Sequence, residues 1–204
     1  MKKSLVYLAV LFLFATAMSS CGNAETDSKK QAENANDAKV DSAKKADTVA
    51  AANSHMADLK PDASFAVEAA DGGMLEVELG KLAAQKGVSS EIKKLGEMMV
   101  KDHSKANDEL KAAAKAKDIT LPAVMSDKCQ KKLTDLTEKK GTDFDKAYAD
   151  LMVSDHKDDI DEFKKEAEKG NDKELSAWAK GKVPVLEHHL MMAEQAKKAV
   201  DKKS

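Results

Sequence analysis

The chain has 204 residues, a formal charge of −2 and 34% charged residues. A surface of mixed sign with no basic stripe excludes the electrostatic footprint of nucleic-acid binding. Aromatic residues make up only 4%, and a composition led by Ala, Lys, Asp, Leu and Met favours helices and serves strands poorly.

Residues 1–20 read as a secretory signal: Lys2 and Lys3, an apolar run over 5–17, then Ser19 and Ser20. The run is too short to span a bilayer comfortably, which takes about 20 residues. Cys21 and Gly22 follow at once. This join resembles a bacterial lipoprotein signal cleaved before a lipid-carrying cysteine, although Met18 stands where leucine is commonest. The alternative is an ordinary secretory signal with an incidental cysteine. A Cys21 carrying several acyl chains, palmitate among them, anchors a protein permanently, whereas one chain binds only marginally. The expected address is therefore the bacterial envelope, on a face of the outer membrane. Cys129 is the only other cysteine, so the mature chain has no intrachain disulfide and must stand on its core. Beside Lys128, Cys129 reads as a half-buried residue without a chemical role, a slightly activated thiol being the alternative.

Residues 21–60 read as the lipidated cysteine and a flexible tether. Between 22 and 60 the large apolar residues are Val40, Val49, Met56 and Leu59, too few to offset the entropy of ordering. A flexible tether of this length spans roughly 35 Å. His55 falls here as a solvated side chain.

Residues 61–201 carry four long helical patterns. The first, 62–86, opens with Pro61 and Asp62 and places Phe65, Ala69, Gly72, Glu76, Leu79 and Ala83 on one seam, with Gly87 as its stop. The Gly72–Gly73 pair weakens it by roughly 1 kcal/mol per glycine, a cost that close approach of a neighbouring backbone compensates. The second, 90–117, has the seam Ile92, Leu95, Met99, His103, Ala106, Leu110 and Ala113. The connection 118–142 contains Pro122, Gly141 and a short amphipathic piece near 127–139. The third, 143–169, starts at Thr142 with Asp145 as its capping partner and runs through Tyr148, Met152, His156, Ile160, Phe163 and Ala167. The last, 172–201, opens at Asn171 with Glu174 and carries Leu175, Trp178, Val185, His189, Met192 and Ala196; Pro184 is expected to kink or break it.

Four such stripes are buried most economically in an all-α, ferritin-like four-helix bundle, with a short extra helix in the connection between helices two and three. The short loops 87–89 and 170–171 make antiparallel pairs. The long connection either crosses the whole bundle or packs at one end.

One polar residue interrupts each seam. Glu76, His103 and His156 lie about 20 Å from their helix starts and His189 about 27 Å, so all four fall near mid-helix. One carboxylate and three imidazoles in one core layer form a plausible transition-metal ligand sphere. His188 competes with His189 for the inward position. Met99 and Met152 precede a histidine by four residues and Met192 follows His189 by three; thioether beside imidazole leans towards copper, with zinc next and iron an alternative. Haem between two such side chains is a lesser reading. Against these stands a buried Glu–His network that only fixes bundle register. Asp102, Asp155 and Glu187 each precede a histidine and so point about 100° away, as rim charges or outer partners of the ligands. A di-iron oxidase needs Glu-x-x-His on two helices, but Val100, Val153 and Leu186 stand three before the histidines. No Ser-His-Asp order, Gly-rich phosphate loop or Cys-x-x-Cys occurs, so binding, storage or sensing is expected rather than turnover.

At these residues the chain resembles a bacterial family, domain of unknown function 4142, over about residues 62–198. The resemblance rests on 65–80 (FAVEAADGGMLEVELG), 99–107 (MVKDHSKAN), 152–156 (MVSDH) and 183–190 (VPVLEHHL). The family pattern carries a glutamate at the position of Glu76 and histidines at those of His103, His156 and His189. The resemblance implies a ferritin-like bundle in exported or envelope proteins and no established activity.

Overall fold

The computed structural model describes residues 27–45 and 58–202. Its helices are α1 (Ser28–Lys45), α2 (Lys60–Lys86), α3 (Ser90–Ala116), α4 (Asp127–Thr137), α5 (Gly141–Lys169) and α6 (Lys173–Asp201), and no strand occurs among the described residues. The predicted signal, Cys21 and His55 lie outside them. No described helix is long and apolar enough to cross a membrane.

The fold is two antiparallel helix hairpins, α2–α3 and α5–α6, packed side by side. In the first hairpin the backbones meet at Gly80 and Gly96: a Cβ on Gly96 would stand 2.6 Å from the Gly80 carbonyl oxygen. Gly73 receives the Asn107 side chain where a Cβ would be, while Gly72 faces open space. The close backbone approach expected to compensate the glycine pair therefore occurs at neither; a side chain takes its place at Gly73.

The long connection crosses the full length of the bundle. Lys117, just past α3, pairs with Asp172 and Glu174 at the start of α6. Lys86, at the end of α2, donates to the Thr137 and Lys139 carbonyls just before α5. The chain thus leaves α3 at one end and enters α5 at the other, as in ferritin-like bundles. α4 lies within this crossover against α2 and α5. Asp71 of α2 fixes its start, accepting from the Ser126 amide at 2.7 Å and hydroxyl at 2.6 Å.

Several local expectations are corrected. Thr142 does not open α5, which begins one residue earlier at Gly141 with φ +58°. Asp145 does not cap its own helix; it accepts from the amides of Val88 and Ser89 in the α2–α3 loop, at 3.0 and 2.7 Å, stapling the hairpins together. The cap of α6 is Asp172, not Asn171, accepting from the Glu174 and Leu175 amides. Pro184 does not break α6, which runs unbroken through it. Lys180 and Pro184 both lie on the exposed face, where water reaches the carbonyl left without a partner, while Ala179, Leu186 and His189 hold the other face in the core. The flexible tether expected over 21–60 fails for residues 28–45. They form α1, which packs on α2 through Ala32 and Val40. Its polar side chains tie down the crossover: Asn36 exchanges two hydrogen bonds with the Thr120 backbone, and the Ser28 hydroxyl accepts from the Ala123 and Val124 amides. Those bonds to orphan backbone groups supply what the sparse apolar surface does not.

The foot of the bundle holds a buried acid pair, Asp62 at 0% and Glu166 at 6% exposure. Burial, then the Asp62 carboxylate, pushes the Glu166 carboxyl up to about 8. A carboxyl raised on folding weakens the fold as pH climbs from its ordinary value towards the raised one. Glu166→Gln, neutral throughout and still able to donate to Asp62, should therefore gain stability over the parent progressively between about pH 4.5 and 8. Urea midpoints at pH 4 and pH 8 check this; an equal difference at both removes the assignment.

Candidate metal centre

Glu76 on α2, His103 on α3, His156 on α5 and His189 on α6 meet midway along the bundle. All four are buried, at 3%, 7%, 0% and 1% exposure. The imidazole centroids form a near-equilateral triangle: 5.1 Å from His103 to His189, 5.3 Å from His156 to His189 and 5.6 Å from His103 to His156.

Each ring is oriented by an acceptor on one of its nitrogens. Glu76 Oε2 lies 2.7 Å from His103 Nδ1. The Met152 carbonyl oxygen lies 3.0 Å from His156 Nδ1, one helical turn back. Asp102 Oδ2 lies 3.0 Å from His189 Nε2. Carbonyl and carboxylate oxygens only accept, so each of these nitrogens carries the hydrogen. In a neutral imidazole the remaining nitrogen then holds a lone pair. Those are His103 Nε2, His156 Nε2 and His189 Nδ1, of which His156 Nε2 and His189 Nδ1 point at each other.

This set is incompletely satisfied. His156 Nε2 and His189 Nδ1 face each other at 3.3 Å. His103 Nε2 is buried without any hydrogen-bond partner, as is Glu76 Oε1, which lies 3.5 Å from His156 Nε2. Burial holds His156 below the ordinary imidazole range and, with the neighbouring rings, drives His189 down to about 4, against the pull of Asp102. Burial pushes the Glu76 carboxyl up, but His103 and His156 outweigh it and hold it down to about 2. At neutral pH the layer thus holds the Glu76 carboxylate beside a His189 ring in its neutral form. Ligand atoms of the three histidines lie within 4.8 Å of one another, so the cluster could hold a metal ion. Orphaned His103 Nε2 fits that ligand role, and an outer acceptor on each ligand histidine is the usual support of such sites.

The family model described as Domain of unknown function (DUF4142) matches residues 45–196. The chain belongs to this family. No curated protein and no solved structure matches it.

In this DUF4142 chain the side chains of the other expected accessories divide between the surface and the apolar core. His188 is exposed on α6. Met99 and Met152, both fully buried, fill the apolar core with Leu75, Leu79 and Tyr148, and Met192 packs half-buried against that core. Cys129 is buried rather than half-buried; its thiol donates to Asp71 at 3.2 Å, and burial pushes it up to about 11, the opposite of activation. Asp155 pairs with Lys132 and Glu187 with Lys164, so neither serves a histidine. Asp102 does, but on the neighbouring helix rather than its own. Nothing in the periodicity of α3 alone signals this, because it depends on how α3 and α6 are set against each other.

Proposed function

We propose that this protein is a lipid-anchored envelope component whose bundle binds one transition-metal ion through His103, His156 and His189, with Glu76 completing or orienting the set. The carrying observation is the group of three buried histidines with ligand atoms within 4.8 Å of one another, one of which, His103, has a buried ring nitrogen with no partner. Three neutral imidazoles suit zinc and copper, with iron a lesser alternative; the core packing of Met99 and Met152 gives the thioether preference for copper no support. Lone pairs, a carboxylate and no nucleophile–base pair among them fit binding, storage or sensing. Anchoring rests on the signal-like residues 1–20 and on Cys21; palmitate labelling that persists in Cys21→Ser would remove it.

Metal-depleted full-length protein in detergent micelles, titrated with zinc and with copper against a chelator of known affinity, tests the site. One equivalent bound more tightly than micromolar is expected, with a thermal midpoint that rises with free metal, since a ligand at a thousandfold its dissociation constant adds about 4 kcal/mol. The rival reading is a register device, favoured by the hydrogen bonds that already tie His189 to Asp102 and His156 to the Met152 carbonyl. It requires a thermal midpoint indifferent to metal and chelator.

A further inference from the structure

A cavity of about 170 Å³ adjoins the histidine layer, and Glu76, His103 and His189 form part of its lining. Phe163 and Trp178, whose ring centroids lie 5.5 Å apart, line it together with Ala69 and Leu186. Gly72 lies one helical turn before Glu76 on the same seam, and a Cβ there would meet nothing within 4 Å. The helix therefore gives up about 1 kcal/mol at Gly72 and gains no close packing in return. What the missing side chain leaves is room beside the centre. A closed apolar cavity of about 150 Å³ accommodates a benzene ring, so this volume fits a single ring or a chain of similar size.

We propose that this cavity is a ligand pocket for a small organic anion of about one ring, its apolar body against Phe163 and Trp178 and its carboxylate-type head on the metal. The proposal rests on the metal reading above: a dication held by three neutral imidazoles takes an anionic further donor most strongly, and the cavity reaches the residues that hold it. Phe163 and Trp178 line the same cavity as His103 and His189, so ring and head can be met at once.

Trp178 is the only tryptophan, so its fluorescence reports occupancy directly. Full-length protein, metal-free and zinc-loaded, is titrated with benzoate and, as a neutral ring, benzyl alcohol, with zinc content measured independently by elemental analysis. Expected are a saturable benzoate response at least tenfold tighter with zinc and a benzyl alcohol response indifferent to zinc. Gly72→Ala should weaken benzoate binding and Gly72→Leu should abolish it, with zinc uptake unchanged in both, which also shows that both fold. No saturable response, equal benzoate affinity in zinc-loaded and metal-free protein, or benzoate binding by Gly72→Leu as in the parent overturns the pocket. A protein that takes up no zinc overturns the metal reading and the head-group assignment with it, an outcome the elemental analysis separates from failure of the pocket alone.

Discussion

His103→Ala is expected to lower zinc or copper affinity at least a hundredfold while leaving the bundle helical. It removes one of the three grouped rings and a buried nitrogen that has no other partner, leaving two rings that already face each other at 3.3 Å. Glu76→Gln keeps the shape of the side chain but removes the charge that orients His103. Loss of an outer partner of this kind costs about 10- to 100-fold in metal affinity, so the two variants should rank in that order. Chelator competition gives the affinities and circular dichroism the fold. A His103→Ala protein that holds metal as well as the parent would leave the polar layer without a ligand role. Acid should act in the same direction: His189 is driven down to about 4 on folding, so in the metal-free bundle its contribution to stability is complete above the ordinary imidazole value and is lost as pH falls from there to about 4.

Gly96→Val should destabilise the protein by about 3 kcal/mol or more, the upper range for forcing bulk into a packed core. The new Cβ would stand 2.6 Å from the Gly80 carbonyl oxygen and 2.8 Å from the Ala84 amide nitrogen. Both are backbone atoms inside a helix and cannot step aside without parting α2 from α3. Gly72→Ala supplies the contrast, since its Cβ meets nothing within 4 Å and alanine improves the helix by about 1 kcal/mol. Urea midpoints of the two variants should therefore move in opposite directions. A Gly96→Val protein as stable as its parent would mean that the two helices are not in backbone contact there.

The four long helices were legible because one strong periodicity per segment suffices, and the interruption of each seam by Glu76, His103, His156 or His189 was legible for the same reason. Their convergence follows once four seams of similar length share one core. Other features escaped that logic because they depend on partners distant in sequence. Asp145 sits at a spacing suited to a cap, yet a neighbouring loop takes its carboxylate. Asp102 points away from His103 and finds His189 across the bundle. α1 lacks the apolar residues of a core helix and is held through Asn36 and Ser28 instead, bonds that hydropathy does not register. Pro184 does not split its helix because a proline on a solvent-facing turn costs one hydrogen bond and leaves the buried face intact.

The crossover has a consequence for assembly. Glu76 and His103 belong to the first hairpin, His156 and His189 to the second, and the chain between α3 and α5 is the only covalent tie between these halves among the described residues. Each hairpin closes through contacts near in sequence; the polar cluster exists only after the two have docked. An ion held there would act as a latch across the seam between half-molecules, so separate polypeptides for the two halves should reassociate more tightly when the metal is supplied.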